Sequence, residues 1–352
     1  MGAYDLSLEQ LTERLVAWGE PAFRARQVFA QLWRRAASYE EMSDVSPRLR
    51  DRLTQELPLE MVVLDERTAD RGATRKGLLQ LGADGHVIET VLMGYPDRVT
   101  VCVSSQVGCA MGCGFCATGQ MGLLGNLTAG EIAAQVVWAK REALRLPSST
   151  PRRLTNVVFM GMGEPMANER ATFGAIERLT DPAGLRLGAR HVTVSTVGLV
   201  PGIRHLADRH PQVGLAVSLH AADDALRDAL VPVNRLYPLN VLTAAMAEHR
   251  AATHRRSSIE WAMIDGTNDS EDQAAKLAPI ARRLGAHVNL IPLNPTPGWP
   301  ARPSPAGRIR AFVRVLERAR VNATIRDTRG RRIEAACGQL RLEHEPAIGR
   351  LG

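Results

Sequence analysis

Cys109, Cys113 and Cys116 stand at CxxxCxxC spacing in the segment VGCAMGCGFCATGQ (107–120), interleaved with Gly108, Gly112, Gly114 and Gly119. Three soft thiolate donors this close together are a metal-binding pattern. A structural zinc site is closed by four ligands, often two cysteine pairs, and this segment offers three cysteines and no fourth Cys or His. Iron–sulfur clusters are held by thiolates, and three cysteines around a four-iron cube leave one iron open to a ligand from outside the protein. The spacing therefore favours an iron–sulfur cluster over a zinc site or three unligated core cysteines. The glycines let the backbone fold tightly around it.

Two further cysteines stand apart. Cys102 lies in the alternating run VTVCVSS, on the more polar face with Thr100 and Ser104, and Cys337 lies in EAACGQL beside Gly338. Taken alone, each reads as a small buried hydrophobe. Glu89, in IETVLM, shares its strand face with Val87, Val91 and Met93, where a carboxylate has either a partner or a raised pKa. Gly161-Met162-Gly163-Glu164-Pro165 follows the strand-like NVVFM and by itself reads as a tight strand-to-helix turn with exposed backbone groups. Ser218 and His220 close VGLAVSLH on one strand face, and His220 is either a ligand contact or an ordinary strand-end histidine.

These residues need a scaffold. Residues 1–60 read as helical: Ser7 and Gln10 form a capping box for SLEQLTERLVAW, with Leu8, Leu11, Leu15 and Val16 on one face. AFRARQVFAQLWRR follows, with Phe23, Val28, Phe29, Leu32 and Trp33 as an apolar stripe and Arg24, Arg26, Arg34 and Arg35 as a basic one. Ser46-Pro47 starts a third helix. This unit is either an RNA-binding accessory domain or a helical cap on the rest. GLLQLGADGHVIETVLM predicts a hairpin turning at Asp84-Gly85, within a connector over 61–97 that carries Glu89.

From residue 98 to about 345, strand-like runs begin near residues 98, 156, 191, 213, 259, 287 and 322 and alternate with helical patterns. Thr128 with Glu131, Ser270, and Ser304-Pro305 mark helix starts. Repeated strand–helix units predict an α/β fold with a parallel sheet, which carries ligands at the carboxyl ends of its strands. This pattern fits a barrel or a doubly wound sheet. The proline-rich LNPTPGWPARPSP (293–305) reads as a loop and a candidate lid, and 346–352 as a tail.

Composition narrows the partners. The 352 residues are 45% hydrophobic and 23% charged, ample for a sizeable core. Neither a signal peptide nor a bilayer-length apolar run is evident, and five cysteines, three of them clustered, suit a reducing compartment, so the cytoplasm is expected. A net charge of +7 favours a polyanionic partner, although only three of the 44 basic residues are lysines and many arginines belong to solvated helix faces. With 4% aromatic residues, base-stacking platforms are not expected, which leaves shape and phosphate contacts.

CxxxCxxC with Phe115 just before the third cysteine resembles the signature of radical S-adenosylmethionine (SAM) enzymes, and CVSSQVGCAMGCGFCATGQ is similar to their RNA adenine methyltransferases. The resemblance extends from GEPAFRARQVFAQLW through VSLHAADDALRDALVPVNRLYPL and IDGTNDS to ACGQL. It implies a partial (β/α)6 barrel with a small N-terminal helical domain, a [4Fe-4S] cluster on Cys109, Cys113 and Cys116, and two SAM molecules per turnover. It implies SAM contacts from Gly163, Glu164, Ser195, Ser218, Leu219, His220 and Asn294. It further implies Cys337 as an S-methylcysteine intermediate, Glu89 as the base, and Cys102 as the thiol that resolves a protein–RNA adduct by a transient disulfide with Cys337. The implied substrate is an adenine carbon, C2 in one branch and C8 in the other. The C2 branch, the more widespread housekeeping activity, acts on 23S rRNA and on some tRNAs. A flavodoxin-type electron donor and a monomeric chain complete the expectation. Two other readings are a radical-SAM enzyme with a non-RNA substrate and an RNA-binding iron–sulfur redox sensor.

Overall fold

The computed structural model describes residues 2–59, 61–82, 85–296 and 298–326. Asp84 of the hairpin turn, Cys337 and the tail lie outside the described residues.

The chain opens with three helices, α1 (Leu8–Ala17), α2 (Ala22–Ala30) and α3 (Pro47–Glu56). Ser7 accepts from the Gln10 amide while the Gln10 side chain returns the bond, so the capping box forms. Leu11 and Leu15 are buried, but Val16 is exposed because a residue one position on is turned about 100° around the helix. Phe23 is likewise exposed, under the Arg24 guanidinium, while Val28, Phe29, Leu32 and Trp33 are buried. Helix α2 runs into a π turn, Gln31–Arg35, that ends at Ala36 in the left-handed region.

Three antiparallel strands follow, β1 (Met61–Ala69), β2 (Thr74–Leu81) and β3 (His86–Gly94). Strand β3 pairs with β4 (Val99–Cys102), where the sheet turns parallel. Strands β5 (Gln106–Gly108) and β6 (Leu123–Asn126) form a separate hairpin around the short helix α4 (Ala117–Gln120). The long helix α5 (Ala129–Ala143), capped by Thr128 with Glu131, leads to β7 (Asn156–Phe159). Helix α6 (Glu169–Thr180) leads to β8 (Val192–Thr196), and α7 (Val200–Arg209) to β9 (Gly214–Ser218). Helices α8 (Asp224–Leu230) and α9 (Leu239–Thr253) precede β10 (Ser258–Met263). Helix α10 (Glu271–Leu284) precedes β11 (His287–Pro292), and α11 (Ala306–Arg318) precedes β12 (Ala323–Ile325).

The parallel strands lie in the order β4-β7-β8-β9-β10-β11-β12. A doubly wound sheet reverses its order at a switch point. This order never reverses, so the chain builds the partial barrel, with β1 to β3 extending one edge. Register divides the two faces. Val101, Val157, Phe159, Val194, Val217, Ile259, Trp261, Val288 and Leu290 are almost fully buried on the outer face. The helices cover that face; Trp261, for example, meets Phe312 of α11 at 5.6 Å. The inner face is polar and carries the candidate site. Among the described residues no helix is long and apolar enough to cross a membrane.

Candidate active site

The cysteine loop is pinched at its base by β5 and β6. Gly108 has φ +73°, and a Cβ there would lie 1.9 Å from the Gly122 carbonyl oxygen, so only glycine closes this hairpin. The Cys109 amide donates to that carbonyl at 2.8 Å, and the Cys116 amide donates to the Cys113 carbonyl at 3.1 Å. Cys109 and Cys113 are buried and Cys116 half-buried. Burial pushes the Cys109 thiol up to about 11 and raises Cys113 further, with the neighbouring Cys116 and Glu164 adding to both. Such thiols surrender their protons chiefly to a metal. Among the described residues no three His, Cys, Asp or Glu side chains converge on a single-ion cage. Three thiols spread along one loop suit a multi-iron cube better than one zinc ion.

An apolar cluster seats this loop: Cys113 packs with Ala221, Val231, Ala262, Ile264 and Leu293, with Phe115 and Trp299 at its margin. The 293–305 segment crosses here, as a lid would. Gln120 donates to both the Gly114 carbonyl (2.6 Å) and the Thr296 hydroxyl (2.7 Å), and Trp299 meets Phe115 at 6.1 Å.

The strand ends bring the expected SAM contacts beneath the loop. Gly163 has φ +97°, and a Cβ there would lie 2.5 Å from Gln106, whose side-chain oxygen accepts from the Glu164 amide at 2.8 Å. The Glu164 carboxylate is buried and accepts from the amides of Met166 (2.9 Å) and Val197 (2.8 Å). Burial outweighs those bonds and lifts it to about 7. Those two amides and the Thr196 side chain occupy three of its four lone-pair sites, so one remains for a cationic ligand such as an ammonium. The hydroxyls of Ser195 and Ser218 lie 3.4 Å apart. His220 has φ +60°, is buried, and meets Phe115 edge-on at 4.8 Å. Its Nδ1 accepts from the Ala262 amide at 2.9 Å, and burial with the nearby Arg227 lowers it to about 3. The ring is therefore neutral, with its proton on Nε2. Leu219 is fully buried, its amide bonded to the Glu260 carbonyl, and Asn294 is half-buried at the start of the crossing loop.

Glu89 and Cys102 share the inner face: Val91, two residues from Glu89, is opposite both Lys76 and Cys102. Glu89 has the first of the two alternatives its sequence left open, a partner. Lys76 Nζ lies 2.8 Å from its Oε2, both side chains fully buried. Cys102 is buried. Cys337 lies outside the described residues, so the Cys102–Cys337 disulfide is not part of the described structure.

Three inner-face or supporting groups escaped the sequence reading. Lys76 comes from a neighbouring strand, two positions off in register, which sequence spacing does not reveal. Arg227, fully buried, donates to the carbonyls of Leu219 (3.1 Å) and Val197 (2.5 Å) and to Asn234 (2.8 Å), tying together the strand ends that carry Ser195 and Ser218. Glu260 accepts from Ser258 and Asn289 beneath Ser218. A lone carboxylate within the apolar strand IEWAM was its signal.

The family description "Radical SAM superfamily" matches residues 103–278, and "Ribosomal RNA large subunit methyltransferase N-terminal domain" matches residues 3–58. The chain is 50% identical over 350 residues to a probable dual-specificity RNA methyltransferase RlmN of Chloroflexus aurantiacus, covering 97% of this chain and 93% of the relative. It is 51% identical over 335 residues to the protein of the same description from Salinispora tropica, covering 93% and 89%. The crystal structure of a radical SAM methyltransferase from Sphaerobacter thermophilus superposes with a TM-score of 0.92 at 51% identity, covering 96% of this chain and 98% of the other. The chain therefore belongs to the radical SAM superfamily and, within it, to the RlmN family of RNA methyltransferases.

Proposed function

We propose that the chain methylates C2 of an adenine in 23S rRNA and in tRNA, through a methylated Cys337 and a transient protein–RNA adduct. Cys109, Cys113 and Cys116 hold the [4Fe-4S] cluster, and Gly163, Glu164, Ser195, Ser218, Leu219, His220 and Asn294 bind SAM. Reduced in the presence of SAM, the cluster supplies an adenosyl radical able to take a hydrogen atom from a methyl group.

Adenine C2 is not nucleophilic, so polar methyl transfer there is poor chemistry. Cys337 accepts a methyl group from a first SAM, loses one of its hydrogens during the reaction of a second, and joins the ring carbon. The adduct radical gives up one electron, which the cluster would take back, and Glu89, held by Lys76, takes the ring proton. Cys102, as a thiolate, then attacks the Cys337 sulfur; the S–CH2 bond breaks with its electron pair passing to the base, whose methylene carbon takes a proton to become the methyl group, and an external reductant reopens the disulfide left behind. A flavodoxin-type donor supplies the cluster's electron, and the chain acts in the cytoplasm as a monomer. The observation that carries this reading is the register that gives Glu89 and Cys102 the same inner face as Ser195 and Ser218. The dual specificity of the relatives' description supports two RNA substrates.

The test compares rRNA and tRNA nucleosides by mass spectrometry with and without the gene. Loss of 2-methyladenosine supports the proposal, and loss of 8-methyladenosine moves the chain to the C8 branch. No change in either removes this reaction.

A further inference from the structure

The strand ends remote from the cysteine loop border a second feature. A groove of about 680 Å³ opens between the helical domain and the barrel, lined by Arg35 of the π turn, Arg152 and Arg153 ahead of β7, and Arg186 ahead of β8. All four are exposed, and none makes a side-chain hydrogen bond or ion pair among the described residues. Among the described residues no carboxylate lines the groove. Its other three Lys or Arg side chains, Arg34, Lys140 and Arg141, are already committed to carbonyls, Arg34 to Pro182 and the other two to the end of the π turn, so they fix the wall. Exposed protein surface ordinarily intersperses the two signs of charge. Guanidinium groups converging from three segments without a counter-charge repel one another and focus a field that an anion relieves. Their planar forks match phosphate oxygens in pairs.

Position identifies the source of the anion. Arg152 and Arg153 enter β7 and Arg186 precedes β8, whereas Glu164 and Ser195 lie at the exits of the same two strands. Four or five residues at about 3.3 Å each separate the two ends by roughly 15 Å, so a ligand held in the groove cannot itself be the reacting group. It also lies at the wrong end for an acidic electron donor, which must approach the cysteine loop. We propose that the groove is a phosphate-backbone site for the substrate RNA, gripping a segment away from the nucleotide that is modified. This rests on the RNA methyltransferase reading and adds a second point of contact to it.

The test uses iron-loaded protein and an unmodified tRNA transcript, with binding measured across a salt series in the absence of added SAM. The combined variant R152Q/R153Q/R186Q is expected to bind roughly tenfold more weakly near 0.1 M salt, with the log–log salt slope flatter by about 2. Its KM for RNA should rise while kcat at saturating RNA holds, with iron content and melting temperature as in the parent. The lysine triple R152K/R153K/R186K should retain most of the affinity. Unchanged affinity and salt slope in the glutamine triple would overturn the proposal. So would unchanged tRNA affinity together with slower cluster reduction by a flavodoxin, which would assign the groove to the donor. Heat protection by inorganic phosphate, lost in the triple while tRNA affinity stays the same, would assign it to a small anion and also overturn the proposal. If the parent binds tRNA but methylates neither RNA, the proposed reaction falls, while the groove is still judged by the binding comparison.

Discussion

Lys76 and Glu89 illustrate why one buried charge fixes another. With both side chains fully buried and 2.8 Å apart, removing either takes from the other the counter-ion that the described residues give it. Lys76→Met should cost about 3–5 kcal/mol, and Lys76→Met with Glu89→Gln should cost less than Lys76→Met alone; urea unfolding of the three proteins measures this. Equal losses in the single and double variants would mean that the Glu89 carboxylate left behind carries no penalty of its own. Glu164 gives a pH signature instead. Its folded-state carboxyl lies near 7 against an ordinary 4.5, so the folded chain holds that proton more tightly than the unfolded one. The stability it contributes is present below about 4.5 and is lost as pH rises toward 7. Urea midpoints of the iron-free parent should therefore fall relative to those of Glu164→Gln between pH 5 and pH 8. His220, shifted the opposite way, is common to both proteins and cancels in the difference.

The cysteine hairpin shows at the level of an element what spacing can and cannot reveal. The cysteine positions, the capping boxes at Ser7 and Thr128, and the alternation that separates Cys102 from Val101 are all local, and local patterns are legible in one sequence. Pairing between distant segments is not. Nothing in the spacing indicates that Gly108 must meet Gly122, that Lys76 reaches Glu89, or that Arg227 gathers the carbonyls of two strand ends. The Val16 and Phe23 assignments failed for a related reason: an apolar stripe is wider than the face that tertiary packing covers. Gly108→Ala tests the hairpin. Left-handed backbone alone costs about 1–3 kcal/mol for a residue with a side chain, and the contact with the Gly122 oxygen adds to it. Iron uptake on anaerobic reconstitution should fall sharply in this variant, whereas Gly307→Ala, where an added Cβ meets nothing within 4 Å, should reconstitute like the parent.

Across the whole molecule, α5 joins the two parts of the chain. Residues 132 to 139 are buried on every side of the helix, which fits an element enclosed between the sheet and a second layer. The helical domain supplies that layer and grips both ends. Asp5 accepts from the Gly130 amide at 2.7 Å at the start of α5, complementing the helix's positive end. Lys140 near its finish donates to Trp33 and Arg34 carbonyls, and Arg141 donates to Ala36. Tyr4, Leu32 and Trp33 belong to the same apolar core as Ile132 and Val136. The domain is thus a cap on the barrel, and its basic edge contributes Arg35 to the groove as well. Both readings of residues 1–60 can therefore hold together, and deletion separates them. A chain beginning at residue 59 should lose several kcal/mol of apolar burial, melt well below the parent and take up less iron. If it kept the parent's melting temperature and iron content while losing only RNA affinity, the helical domain would be an RNA contact alone, and the enclosure of α5 would count for little in stability.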